Sequence, residues 1–178
     1  MGASGAGTTT LGKSLSIELG YSLFDTDDYY WVPSKPPFVT ARELDERIEM
    51  MKTDLDNCDQ WILSGSLCGW GDVFIPRFDL VIYLWIPKDL RLKRLTEREK
   101  QRYGEKQILE GGSMYQSHKK FMEWAGNYDE GDLNIRSKML HKQWISRLEC
   151  EVLELEGDLT INERIEAVLQ YMKKRKLQ

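Results

Sequence analysis

Residues Gly2-Ala3-Ser4-Gly5-Ala6-Gly7-Thr8-Thr9 satisfy the spacing G-x-x-x-x-G-[K]-[ST] at every fixed place but one, because Thr8 stands where lysine belongs. Glycines permit the dihedrals that turn successive N–H groups inward, and a helix starting near Thr8 adds its positive end. The main chain from Gly2 to Thr10 can therefore cradle phosphate oxygens unaided. Thr9 would offer its hydroxyl to Mg2+. The missing ammonium is a pre-aimed donor of a kind worth roughly 3–4 kcal/mol, so arginines and metal must carry that charge stabilisation. Lys13 is a poor replacement, since five residues of helix turn it ~140° from Thr8 and raise it ~7.5 Å.

Asp25 and Asp27 leave a short strand at i and i+2, which projects both carboxylates to one side. Asp25 can then hold a hydrated cation, and Asp27 can orient or deprotonate an acceptor hydroxyl. The competing reading is that Asp25, Asp27 and Asp28 cap a turn, although three acids together call for a cation. Arg91, Arg94, Arg98 and Arg102 recur at three and four residues and line one helix face, with Glu97 and Glu99 available for ordinary ion pairs. Arg98 and Arg102 suit phosphate or adenine contact through their guanidinium forks, and Arg136 would return to the same phosphates. Tyr29, Trp31, Phe38 and Trp70 sit on the loops near the acids and near Ser64-Gly65-Ser66. There they would wall an acceptor site for a planar base, the alternative being core packing. Trp61, Trp85 and Trp144 lie in apolar-periodic elements and are expected in the core, while His118 and His141 are expected at the surface. Lys173, Lys174, Arg175 and Lys176 complement the negative end of a closing helix.

These groups need a scaffold. A helix from Thr8 to about Leu19 ends at Gly20, and residues 40–57 form an amphipathic helix with Thr40 as N-cap. Residues 88–102 are a charged helix, 113–125 a helix within a polar insertion at 104–135, and 160–174 the last helix. Strands are expected at 21–24, 61–63, 79–86 and 152–155, the third continuously apolar as in a parallel sheet covered on both faces. The insertion has the length of a lid. Strands alternating with helices make a single α/β domain over 1–178, a three-layer parallel sheet. Only Met1 precedes Gly2, so the buried strand from which such a loop hangs is expected to be absent, through an amino-terminally shortened chain or an incomplete sheet.

The composition agrees. The chain has 178 residues, 41% of them hydrophobic, with 25 basic and 29 acidic residues for a net charge of −4. That suits one domain and disfavours nucleic acid as a partner. No apolar run reaches membrane-helix length and no secretory signal opens the chain, so a cytoplasmic protein without a membrane partner is expected. Cys58, Cys68 and Cys150 are expected as free, mostly buried thiols, with neither a disulfide framework nor a zinc cluster.

Over essentially its whole length the chain resembles the P-loop small-molecule kinases, the adenylate-kinase-like and shikimate-kinase-like group. The loop is similar to the G-T-G-T-T-T type of archaeal cytidylate kinases, which also place threonine in the lysine position. The resemblance implies ATP and Mg2+ as cofactors, with Thr9 and Asp25 near the metal. It puts Asp25 and Asp27 in the places of the family's Asp-x-Asp, Asp27 holding the acceptor. Arg94, Arg98, Arg102 and Arg136 become lid arginines, and the turn Glu156-Gly157-Asp158 borders the adenine. The family's acceptor-side glycines are matched in part by Ser64-Gly65-Ser66, Gly69 and Gly71, with Asp25, Asp27, Trp31 and Trp70 completing the acceptor site. The expected activity is phosphoryl transfer to a small molecule, a nucleoside monophosphate as acceptor, with Asp27, Arg98, Arg102 and Arg136 as catalytic residues. The alternative is a nucleotide-binding regulatory or pseudo-kinase protein in which Thr8 marks lost transfer.

Overall fold

In a computed structural model that describes residues 1–176, the chain is organised around two pairs of parallel strands. β1 (Ser22–Asp25) pairs with β2 (Trp61–Ser64), from Ser22 opposite Trp61 to Asp25 opposite Ser64. β3 (Leu80–Trp85) pairs with β4 (Glu151–Glu156), from Leu80 opposite Glu151 to Trp85 opposite Glu156. Successive strand residues face opposite ways. Phe24 and Leu63 accordingly join one cluster around Tyr29, Met51, Leu55, Trp70 and Phe74, while Ile62, Ile82 and Leu84 join another around Leu11, Leu15 and Val168. Helices therefore cover both faces of the strands, which is why β3 is apolar throughout.

The parallel sheet is interrupted among the described residues. β2 and β3 are not paired, and an apolar cavity of about 420 Å3 lies between them, lined by Ile62, Leu63, Val81 and Ile82 with Leu11 and Leu15 beneath. On that edge of β3, among the described residues, Leu84 N–H donates to the Met1 carbonyl at 2.9 Å and Gly2 makes a parallel bridge to Leu84. The glycine loop thus leaves directly from the middle of the fold.

The connections are helical. α1 (Thr8–Leu19) packs on β1, β2 and α8 (Ile161–Lys176), and α2 (Thr26–Tyr30) packs on α3 (Leu44–Asp56). A 3-10 turn spans Asp72–Arg77. α4 (Lys88–Tyr103) carries α5 (Glu105–Ile108) and α6 (Tyr115–Gly126), and α7 (Lys138–Ile145) leads into β4. α8 opens on a reciprocal cap, since Glu163 N–H donates to Thr160 Oγ1 and Thr160 N–H to Glu163 Oε2.

Several expectations shift. Thr40 does not cap the third helix, which starts at Leu44 after Glu43. The Thr40 carbonyl instead accepts from Val32 N–H, and Arg42 N–H donates to the Tyr30 carbonyl, so this backbone is spent on pairing with the Tyr30–Val32 segment. Tyr29 is not an acceptor wall: it is buried with its hydroxyl on Asp54 Oδ2 at 2.8 Å, where burial and that carboxylate raise its pKa. The three cysteines are free but only half-buried. Arg175 does not simply complement a helix end, because it pairs with Glu151 on β4. The side chain of Lys176 lies outside the described residues. No helix among the described residues is long and apolar enough to cross a membrane.

Candidate active site

One cleft of about 1600 Å3 runs from the glycine loop to the far aromatic wall. At its floor, Gly7 has φ 95° and no side chain caps α1, so the first amides of a twelve-residue helix point into the cleft unclaimed. Gly5 is required where it stands: its φ is 81°, and a Cβ there would lie 2.8 Å from the Arg91 carbonyl of α4. Gly2, Ala3, Ser4, Gly5, Gly7, Thr8, Thr9 and Thr10 line the cleft, as does Lys13, whereas Ala6 is wholly buried and faces away.

The acids meet the loop directly. Thr9 Oγ1 donates to Asp25 Oδ2 at 3.1 Å, and Asp25 Oδ1 accepts from Asp27 N–H at 3.0 Å, capping α2. The two readings of the acidic triplet therefore coexist, since Asp25 caps a helix and also touches the loop threonine. Asp27 opens onto the cleft, and partial desolvation there, reinforced by the Asp25 charge, raises its carboxyl pKa against the pull of Arg136 and Arg98. Asp28 is raised by the same two causes. Among the described residues no cluster of three or more His, Cys, Asp and Glu side chains gathers to hold a metal. A Thr hydroxyl and one carboxylate are still the donor set that Mg2+ takes when phosphates and waters fill the remaining positions.

The arginines of α4 part company. Arg91 is fully buried, paired with Asp129 and donating to the Ala125 carbonyl at 3.1 Å, so it is structural. Arg94 pairs with Asp158 at 2.7 Å on the rim. Arg98 and Arg102 line the cleft, Arg98 over the Phe121 ring and Arg102 over Phe38 at 4.9 Å, with Arg102 also 3.6 Å from Glu99. Burial and the neighbouring Arg102 lower the pKa of Arg98. Arg136 enters beyond α6 and lies over Trp124. Neither Arg98 nor Arg136 has a carboxylate within 4.0 Å among the described residues.

The far wall is aromatic. Trp31 lies edge-on to Tyr30 at 4.8 Å and to Phe38 at 6.0 Å, and Trp70 lies 6.2 Å from Tyr30 with its Nε1 donating to the Ser66 carbonyl. Gly65 and Ser66 line the cleft, whereas Ser64 is buried and faces the apolar cavity, its hydroxyl 3.4 Å from Thr9 Oγ1. Arg47 of α3, which the sequence does not single out, stacks 3.9 Å above Tyr30 and brings a cation to this wall. The structure leaves Trp144 buried and Trp61 and Trp85 half-buried.

Sequence reasoning missed the support beneath this wall. His141 is not a surface residue but fully buried. Its Nε2 lies 3.1 Å from Ser66 Oγ and its Nδ1 2.8 Å from Tyr128 OH, which lies 2.8 Å from Tyr83 OH. Burial pulls the imidazole pKa from 6.5 down to about 3, so the ring is neutral and each nitrogen has one fixed role. The unfolded chain takes up this proton below pH 6.5 and the folded chain only near 3, so acid favours unfolding throughout that window. Thermal melts should show stability falling below pH 6.5 by up to ~1.4 kcal/mol per pH unit, with a flatter decline in His141→Gln. Parallel declines in the two proteins would refute this assignment.

No known family model matches the chain. It is 48% identical over 172 residues to the uncharacterized protein YqaC of Bacillus subtilis (strain 168), covering 97% of this chain and 94% of that protein. Among solved structures it is similar to shikimate kinase from Acinetobacter baumannii in complex with shikimate. The TM-score is 0.56 and the identity 20%, over 99% of this chain and 92% of the other. An uncharacterized protein from Eubacterium ventriosum ATCC 27560 aligns at TM-score 0.49 and 12% identity, over 97% and 94% of the two chains. The shikimate kinase likeness shows an α/β fold of that kind, and at 48% identity the chain belongs to the family of Bacillus subtilis YqaC.

Proposed function

We propose that this protein transfers the γ-phosphoryl group of ATP to a small-molecule acceptor, a nucleoside monophosphate. The observation that carries this reading is the facing pair within one cleft: uncapped amides of the Gly2–Thr9 loop on one side, and on the other the Asp25/Asp27 pair with Arg98 and Arg136, neither of them ion-paired among the described residues. The loop amides hold the β- and α-phosphates, and Arg98, Arg102 and Arg136 neutralise the moving group. Asp27 orients the acceptor oxygen and receives its proton where the acceptor is an alcohol. Thr9 and Asp25 would hold Mg2+, which supplies charge neutralisation on the bridging phosphate oxygens. Trp31, Trp70 and Phe38 offer faces to a base, and Arg47 offers a cation to an acceptor phosphate.

Calorimetry with Mg·ATP tests the donor side, and ADP release over a panel of nucleoside monophosphates, nucleosides and hydroxy acids tests the acceptor side. Saturable Mg·ATP binding with turnover on a monophosphate is expected, and no binding would overturn the reading. A nucleotide-binding regulator without transfer is the second reading, favoured by Thr8 in the lysine place. It predicts binding with no turnover on any acceptor.

A further inference from the structure

Arg164 projects from the first turn of α8 to the glycine loop, where it lines the same cleft and its Nη1 donates to the Ala6 carbonyl at 2.7 Å across 158 residues of sequence. The residue is only 4% exposed. No carboxylate lies within 4.0 Å of it among the described residues; the charge of Asp158 reaches it, but that carboxylate is paired with Arg94 at 2.7 Å. A buried cation with no anion in direct contact is costly and favours one beside it. The loop that it supports is one that binds anions and lacks its own lysine. A Cβ on Gly7 would lie 3.0 Å from Arg164 Nη1, so the guanidinium sits directly under the peptide that turns into α1.

Resting on the nucleotide-binding reading above, we propose that Arg164 is the cation of this phosphate loop, supplying through the loop peptide the charge that Thr8 does not supply. Two effects combine. The positive charge raises the potential in the cradle through low-dielectric protein. The hydrogen bond to the Ala6 carbonyl also polarises the Ala6–Gly7 peptide, which strengthens the Gly7 N–H as a donor to a phosphate oxygen. Among the described residues no backbone or side-chain acceptor takes that N–H, so it is free for the ligand. Arg164 acts through the loop peptide that it holds and is a positioning residue. Its buried placement depends on α8 closing over α1, a contact that the helix sequence by itself does not announce.

The test is phosphate-specific affinity, read by calorimetry on the full chain with Mg·ATP, pyrophosphate and adenosine as probes. Arg164→Met is expected to weaken Mg·ATP and pyrophosphate by at least about tenfold, within the range that loss of one pre-aimed donor produces, and to leave adenosine nearly unchanged. Arg164→Lys should retain part of the affinity. Thr8→Lys placed in Arg164→Met should restore binding by more than it improves the parent, because the two cations serve the same oxygens. Arg164→Gln keeps a donor for the Ala6 carbonyl without the charge, and it carries the same reading where the Met variant folds poorly. Unchanged pyrophosphate affinity in either neutral variant would overturn the proposal, as would equal losses for ATP and adenosine, the mark of a purely structural role. A parent protein that binds neither Mg·ATP nor pyrophosphate would instead remove the nucleotide reading itself.

Discussion

With an alcohol acceptor, Asp27→Asn is expected to cut phosphoryl transfer by about a hundredfold or more, the range that loss of a positioned proton acceptor produces, while Mg·ATP affinity stays within about twofold of the parent; with a monophosphate acceptor, whose attacking oxygen carries no proton, only the smaller loss from disturbed positioning is expected. The substitution is nearly isosteric, and the Asp27 N–H that completes the α2 cap on Asp25 is untouched, so the loop and the acidic turn should keep their geometry. What disappears is a carboxylate whose pKa is raised by desolvation and by Asp25. A raised pKa keeps the group protonated to higher pH, so transfer should decline on the acid side at a pH above the ordinary aspartate range. Replacing Arg136 with Met, which removes a cation that holds this pKa down, should move that limb further upward. The same shift has a stability consequence of the opposite sense. A carboxyl with raised folded-state pKa contributes stability at low pH that is lost as pH rises through that pKa, so Asp27→Asn should melt slightly higher than the parent at neutral pH. Lower activity with higher melting temperature is the signature of a group retained for chemistry. Thr9→Ala should do the reverse, weakening Mg2+-dependent ATP binding and removing the Thr9–Asp25 bond. An Asp27→Asn protein with undiminished turnover would place the acceptor elsewhere.

What was legible in the sequence is what depends on near neighbours along the chain. The Gly2–Thr9 loop and the Asp25/Asp27 pair each fit within nine residues, and the strand at 80–85 declares itself by continuous apolar character. The residues that were missed acquire their roles only through distant partners. Arg47 and Arg164 sit among glutamates in their helices, and nothing in that local pattern singles them out. Three-dimensional packing alone puts Arg47 on Tyr30 and Arg164 on Ala6. His141 seemed isolated because Ser66, which its ring supports, is 75 residues away. Arg91 shares one α4 face with Arg94, Arg98 and Arg102, yet the neighbours change along that face, so its first member meets Asp129 in the core while the last two reach the cleft. Spacing on one helix could not tell these fates apart, because it carries no information about which neighbour covers which turn.

Gly65→Ala should lower the melting temperature by roughly 6–15 °C, the largest stability effect expected of any single methyl in the site. Gly65 follows β2 with φ 111°, and an added Cβ would fall 1.8 Å from Thr26 Oγ1, 2.9 Å from Thr26 Cβ and 3.1 Å from Thr26 Cγ2. No rotation of Thr26 relieves this, since its Cβ and both branches are too close. Thr26 is itself only 3% exposed, and its Oγ1 accepts the Ser66 N–H at 3.2 Å. Either the Ser64–Ser66 turn or α2 must therefore move, and α2 carries Asp27. Overpacking of this kind costs about 1–3 kcal/mol, an L residue at positive φ about 1–2 more, and a buried N–H left without its partner about 1–3. At about 2–4 °C per kcal/mol for a domain of this size, even the lower part of that sum gives the stated shift. Gly69→Ala is the control, because φ is 84° there but nothing lies within 4 Å of the added methyl, so only backbone strain remains. Thr26→Ala combined with Gly65→Ala should recover part of the loss, since removing Oγ1 and Cγ2 relieves two of the three clashes, whereas independent sites would simply add. Acceptor KM should rise in Gly65→Ala more than ATP affinity falls, because the displaced turn faces the aromatic wall. Identical melting curves for Gly65→Ala and Gly69→Ala would show that this close approach does not exist in the folded protein.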